Sequence, residues 1–222
     1  MSACDICLEI LDEENSRFAR ALASDALRSA IIAESSHFVA LPSLGPLVFG
    51  HSLIVSREHE RSLVVYAGEN QLWSEISELV GRLHSLLKQV CNQSALLIFE
   101  HGSIRDQSTS CSTTHAHLHL LPLSSKTIFK ALDMIPAHES HRTWDDLLNT
   151  CQIMEKFIWL GSISAACNLT LFEPIPARDL PSQFMRKVVA QVLGAGTWDW
   201  RQNLNTPLIL KLINGVRSVP IR

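Results

Sequence analysis

Three histidines at alternate positions, His115, His117 and His119, punctuate an otherwise apolar segment that runs through Leu118, Leu120 and Leu121 to Pro122. On an extended strand successive side chains point to opposite faces. This spacing therefore predicts three imidazoles on one face and Ala116, Leu118 and Leu120 on the other. Same-face neighbours on a strand lie roughly 6.5 to 7 Å apart, a span comparable to a phosphate group with its ester oxygens. Imidazole is also the side chain suited to proton transfer and nucleophilic attack near neutral pH. The segment predicts a sheet with one core face and one chemical face. With ten histidines in the chain, a surface strand that merely carries imidazoles is the competing reading, but strict alternation with small and aliphatic residues favours the chemical one.

The remainder of the 222 residues, 46% of them hydrophobic, can bury a core and suits one compact unit with an extension. Residues 13–30 are acidic and helix-prone. Residues 36–41 read as a strand ended by Pro42, the Ser43-Leu44-Gly45-Pro46 stretch as a turn, and residues 48–56 as a second strand, together an antiparallel hairpin. Leu72, Ile76, Leu79, Leu83, Leu86 and Val90 recur at steps of three and four, one face of an amphipathic helix over residues 69–90. An apolar strand follows at residues 95–99, then Glu100-His101-Gly102 and a polar loop leading into the histidine strand, which Pro122 should end. Further on, Thr143 can cap a helix reaching about Lys156, residues 157–161 and 168–173 suggest a strand pair, and residues 181–193 a helix with Phe184, Val188 and Val192 on one side. Trp198-Asp199-Trp200-Arg201 either packs under the core or covers the site, and packing is the favoured expectation. An apolar tail closes the chain.

The net charge of -3 gives no broad cationic field, so a nucleic acid polymer is not an expected partner and a nucleotide is the more natural ligand. Six cysteines are spread without the density of a secreted disulfide scaffold, and the start of the chain lacks a basic-then-apolar leader. This reads as a reduced, cytoplasmic protein. No apolar run reaches the roughly 18 to 20 residues of a membrane span. Cys4-x-x-Cys7 has the spacing of a zinc knuckle, a weak signal alone; a redox pair would require a strand leading into a helix, which is not evident at residue 4. His138 and His141 read as solvent-exposed. Cys111, with no evident base partner, does not read as a nucleophile. Gln183, Arg186 and Lys187 form a polar helix face that is either simply solvated or within reach of a phosphate.

The segment His115-Ala116-His117-Leu118-His119-Leu120-Leu121 resembles the signature of the histidine triad (HIT) superfamily of nucleotide hydrolases and transferases, and the preceding order of hairpin, long helix, strand and loop is similar too. The resemblance covers about residues 1–125. It implies an α+β fold, a HIT-like antiparallel sheet with packed helices, with residues 1–125 as catalytic domain and residues 126–222 as a C-terminal α/β extension packed on the same domain. It implies a covalent nucleotidyl intermediate on His117, with His119 and Ser112 at phosphate or leaving-group oxygens and His51, Glu100 and Gly102 at the substrate. Glu100-His101-Gly102 departs from the Asn-x-Gly of related branches. A carboxylate facing phosphate would repel it, so Glu100 would orient a histidine or bind a ribose hydroxyl. Zinc-bearing members and the related galactose-1-phosphate uridylyltransferases imply a structural Zn2+ on Cys4, Cys7, His59 and His115, closed to catalysis. The family habit implies a homodimer. The expected reaction is cleavage of a nucleoside phosphoanhydride, phosphoramidate or dinucleoside polyphosphate with water as acceptor. A phosphorylase or transferase using phosphate or a sugar phosphate, and a non-catalytic nucleotide-binding zinc module, are the alternatives.

Overall fold

The structure, a computed structural model, describes residues 4–11, 16–22, 30–104, 115–136, 139–140 and 143–220. Among them nine strands make one sheet in which every pairing is antiparallel. They are β1 (Ala33–Glu34), β2 (Phe38–Pro42), β3 (Ser52–Ser56), β4 (Ala95–Ser103), β5 (His117–Leu123), β6 (Glu139–Ser140), β7 (Lys156–Ile163), β8 (Leu169–Phe172) and β9 (Ile175–Pro176). The order is β1-β2-β3-β5-β4-β7-β8-β6, with β9 on β7. The histidine strand β5 is therefore central, between the hairpin strand β3 and β4. Strands from beyond residue 126 join the same sheet through β7, which pairs β4 from Leu96 to Ser103.

Among the described residues seven α-helices accompany it: α1 (Asp5–Leu11), α2 (Arg17–Leu22), α3 (Asn70–Cys91), α4 (Ser125–Leu132), α5 (Trp144–Ile153), α6 (Phe184–Leu193) and α7 (Thr206–Arg217). None among the described residues is long and apolar enough to cross a membrane. The fold is α+β with an antiparallel sheet, as expected. The period-two alternation assigns each face. Phe38, Ala40, Ile54, Leu96, Ile98, Leu118, Leu120, Phe157 and Trp159 point to one side and pack with α3 and α5. Val39, Leu41 and Val55 point to the other, under Phe18 and Leu22 of α2 and Ile209 and Ile213 of α7. On that same side Leu97, Phe99, Leu121, Ile158 and Leu160 lie under α4 and α6. Between these two apolar covers the middle of the face, over β3, β5 and β4, holds a cavity lined by His101, His117 and His119.

Several boundaries differ from expectation for physical reasons. The second hairpin strand begins at Ser52 because residues 48–51 turn: the His51 N–H donates to Val48 O at 3.2 Å and Gly50 adopts φ 91°. A side chain at Gly50 would also collide with Cys91 Sγ. β5 does not stop at Leu121 but continues through Pro122. Its β3 partner ends at Leu120, so only β4 flanks the proline. β4 runs on to Ser103 because β7 pairs every residue of Glu100-His101-Gly102. The helix after Thr143 ends at Ile153, and Thr143 makes a full capping box with Asp146. The apolar tail is the helix α7, with Ile209, Leu212 and Ile213 buried at steps of three and one.

Candidate active site and metal centre

His117 and His119 share the cavity face of β5, as alternation requires, and are 7% exposed each. Opposite them across the ladder stand Phe99 of β4, paired with His119, and Leu53 of β3. The His119 ring lies flat on Phe99, centroids 4.5 Å apart at 23°. His115 is not on the strand. It precedes β5, is fully buried, and turns its ring away from the cavity toward Cys4 and Cys7.

Hydrogen bonds fix which nitrogen of each ring carries the proton. His117 Nδ1 is 2.7 Å from the carbonyl oxygen of His115. A carbonyl can only accept, so Nδ1 is protonated and the lone pair of a neutral His117 sits on Nε2. His51 Nδ1 accepts from the Leu47 N–H at 3.3 Å. The proton of a neutral His51 is therefore on Nε2, which donates to His119 Nδ1 at 3.0 Å. A neutral His119 then carries its own proton on Nε2. Burial first, then the nearby Arg186 and His117, hold the His51 pKa well below its usual range. His119 is lowered in the same way, by burial and then by His117 and His51. The two β5 rings thus present to the cavity one imidazole lone pair, from His117, and beside it one imidazole N–H donor, from His119.

The candidate substrate residues divide by strand parity. His51 is fully buried behind His119 and orients that ring; it is not among the cavity-lining residues. Glu100 and Gly102 do not reach the cavity either. They lie on the opposite face, because β4 continues past Phe99 and alternates. Glu100 is 1% exposed, and its carboxylate accepts from the Leu63 N–H and from Trp159 Nε1, both at 2.7 Å. Burial raises its pKa against those donors. A Cβ at Gly102 would sit 2.5 Å from the Phe157 ring and 2.8 Å from Ser62 Oγ, so glycine is required there by packing. The residue of that trio on the cavity wall is His101, which the sequence reading passed over. Ser112, with Cys111, His138 and His141, lies outside the described residues. Trp200 does not pack under the core. It lines the cavity, with the guanidinium groups of Arg17 and Arg201 at 4.8 and 5.2 Å from its ring centroid. Gln183 and Arg186 are likewise not a solvated face: both are buried on the cavity wall, while Lys187 is exposed.

The second cluster joins the start of α1 to the entry of β5. One ligand atom each from Cys4, Cys7, His59 and His115 lies within 4.8 Å of the others. His115 Nδ1 is 3.5 Å from Cys4 Sγ and 3.4 Å from Cys7 Sγ, and His59 Nδ1 is 3.2 Å from Cys7 Sγ. A tetrahedral ion with thiolates at about 2.3 Å and imidazoles at about 2.0 to 2.1 Å separates such atoms by about 3.3 to 3.8 Å, so the donors fit. His115 Nε2 donates to Ser56 O at 2.7 Å, which leaves Nδ1 as the coordinating nitrogen. Burial and then the neighbouring Cys4 push the Cys7 thiol up to about 11. A divalent cation reverses that balance by favouring thiolate. The four residues can therefore hold a metal ion.

Residues 2–135, more than half of the chain, match the family described as "Protein similar to CwfJ C-terminal". The chain belongs to that family. The CwfJ C-terminal-like segment takes in the cysteine and histidine cluster, the hairpin and the histidine strand, and ends before α5. Among curated protein sequences none matches. Several solved structures are similar. A HIT family protein of Bacillus anthracis is 20% identical, with 68% of this chain and 94% of that chain covered at TM-score 0.40. A HIT family member from Bacillus subtilis is also 20% identical, over 63% and 94%, at TM-score 0.36. A hypothetical histidine triad nucleotide-binding protein from Sulfolobus tokodaii is 20% identical over 55% and 70%, at TM-score 0.38.

The electrostatics of His101 yield a stability prediction. Burial, then the proximity of His117 and Lys156, lowers its pKa from 6.5 to about 4. Between those values the unfolded chain binds a proton that the folded chain refuses. The contribution is therefore complete above pH 6.5 and is lost progressively as pH falls toward 4. Urea unfolding at pH 7 and pH 5 should show the wild type losing more stability than His101→Gln, by on the order of 1 to 2 kcal/mol. Equal losses in the two proteins would mean that His101 is not held neutral.

Proposed function

We propose that the protein cleaves a nucleotidyl phosphorus bond through a covalent nucleotide on His117, in the manner of the HIT hydrolases and transferases. The observation that carries this reading is the pairing of tautomers: a lone pair on His117 Nε2 beside an N–H on His119 Nε2, each fixed by a hydrogen bond on the far nitrogen. A nucleophile has to be presented unprotonated, and a developing negative charge needs a donor already aimed at it. In the first displacement His117 Nε2 bonds to the α-phosphorus and the bond to the leaving group breaks. The leaving oxygen or nitrogen keeps the electron pair, a leaving nitrogen also taking a proton from solvent, while His119 Nε2–H hydrogen-bonds phosphate or leaving-group oxygens. In the second, a water oxygen bonds to phosphorus and gives up a proton to solvent, the P–N bond breaks, and its electron pair returns to Nε2. Splitting the reaction into two in-line steps lowers each barrier.

The substrate by this reading is a nucleoside phosphoanhydride, phosphoramidate or dinucleoside polyphosphate. Cys4, Cys7, His59 and His115 would hold a structural zinc, as in the zinc-bearing branch related to the uridylyltransferases. Four protein ligands of this kind suit a structural ion, which would supply rigidity at His115 rather than chemistry in the displacement. The His115 carbonyl oxygen fixes the His117 tautomer.

Two experiments test the reading. Incubation with a dinucleoside polyphosphate or a nucleoside phosphoramidate, followed by intact mass measurement under basic quench, should reveal one nucleotidyl adduct that acid removes. His117→Asn should form none. Wild type and variant that behave identically, with neither adduct nor turnover, would exclude the covalent mechanism. For the metal, gently purified protein should contain about one zinc per chain, and Cys4→Ser should lose both the zinc and several degrees of thermal stability. A zinc-free wild type whose melting temperature is unchanged by Cys4→Ser would remove the metal site.

A further inference from the structure

Of the buried polar side chains on the cavity wall that the chemistry of His117 leaves unused, namely Glu9, Ser43, His101, Gln183 and Arg186, the last two stand together at the start of α6. Arg186, at the start of α6, is 4% exposed. Its guanidinium donates to Trp198 O from Nε at 3.0 Å, to Ser43 Oγ from Nη1 at 3.2 Å and to Gly45 O from Nη2 at 2.5 Å. All three acceptors are uncharged. Among the described residues no carboxylate lies within ion-pair distance of it; Asp199 favours its charge only from farther away, whereas a buried charge ordinarily keeps a paired counter-charge. Burial lowers its pKa only to about 10, so it remains a cation at neutral pH. Gln183, one residue before α6, is 8% exposed, and its Nε2 donates to Asp199 Oδ1 at 3.0 Å. That carboxylate accepts only, which fixes the orientation of the amide. The remaining atom, Oε1, is buried with no hydrogen-bond partner among the described residues. The first turn of this ten-residue helix has no side-chain cap.

A buried cation and an uncapped helix start select an anion. A buried acceptor without a donor selects an O–H or N–H on that same occupant. Sulfate at neutral pH meets only the first requirement; hydrogenphosphate, or a phosphate monoester with a neighbouring hydroxyl, meets both. We propose that Arg186 and Gln183 form a subsite, in the cavity of His117, for the group displaced from the nucleotidyl phosphorus, and that this group is a phosphate accompanied by an O–H donor. In the first displacement the P–O bond to that phosphate breaks as the Nε2–P bond forms, and the electron pair leaves on the phosphate oxygen next to the guanidinium. The anion site stands on the geometry of α6. Its assignment to the displaced group rests on the nucleotidyl reading of His117. Because α6 lies beyond residues 2–135, the segment outside the family match would supply the selectivity for the displaced group.

Calorimetric titration of the full chain at pH 7 and constant ionic strength, with inorganic phosphate, glycerol phosphate and sulfate, tests this without requiring turnover. Phosphate or glycerol phosphate should bind at least about tenfold more tightly than sulfate, and whichever of the two binds better identifies the source of the O–H donor. Gln183→Met, which keeps size and removes the acceptor, should erase that preference. Arg186→Lys, which keeps the charge but loses the planar fork, should weaken all three anions by about tenfold. His117→Asn should retain the preference for phosphate over sulfate. Equal binding of phosphate and sulfate by the wild type would overturn the subsite. So would phosphate binding that His117→Asn abolishes while Gln183→Met and Arg186→Lys leave it unchanged, since that places the anion at the histidines. Should Arg186→Lys fail to fold, Gln183→Met decides alone. Failure here leaves the adduct on His117 standing, and an absent adduct leaves the anion site standing.

Discussion

The hydrogen bond from His117 Nδ1 to the carbonyl oxygen of His115, 2.7 Å long, ties the two halves of the site into one device. It decides which nitrogen of the cavity imidazole bears a lone pair. The acceptor is backbone, so it cannot rotate away unless residue 115 moves. Residue 115 is itself gripped from the other side: Nε2 donates to Ser56 O on the hairpin, and Nδ1 faces the two cysteines at the start of α1. Ala116 N donates to Glu60 O at 2.6 Å and closes the same corner. The cysteine and histidine cluster, the hairpin end and the histidine strand therefore share a single anchoring residue.

The opposite end of the imidazole row is held by burial. His51 is fully enclosed and touches Leu47 N–H on one nitrogen and His119 on the other. Charging either ring would place a cation in a desolvated layer already facing Arg186, so both stay neutral. Neutrality is what makes the hydrogen-bond chain directional: each neutral ring has one donor and one acceptor, and fixing one fixes the other. The site needs the stiff centre of the sheet for this. β5 has strand neighbours on both sides, and both of its faces are covered, one by α3 and the other by the cavity wall and α6.

Much of this arrangement was legible in the sequence because period two leaves a mark on composition. His117 and His119 against Leu118 and Leu120 sort to the two faces as alternation demands, and the long helix shows its apolar stripe from Leu72 onward. The cysteine and histidine ligands came from a resemblance, and the structure brings those four side chains together. The resemblance implies a substrate role for Glu100 and Gly102, and they stand on the far face because β4 runs past Phe99 to Ser103. Alternation carried through Glu100-His101-Gly102 puts His101 beside His117 and His119 and the other two on the far face. The polar composition of that trio masked a paired strand, because Glu100 is satisfied by Leu63 N–H and Trp159 Nε1, partners distant in sequence. Gln183 and Arg186 were hidden for the same cause. A polar helix face reads as solvated until a loop, here the one carrying Trp198 to Trp200, closes over it.

The tautomer chain is the central claim, and nitrogen-15 NMR of histidine-labelled protein at pH 7 tests it directly. Long-range couplings between ring nitrogens and carbon-bound protons tell a protonated nitrogen from an unprotonated one in each imidazole. The account predicts His117 as the Nδ1–H tautomer and His51 and His119 as Nε2–H tautomers, all three neutral. A spectrum with the His117 proton on Nε2, or with His119 carrying protons on both nitrogens, would contradict it.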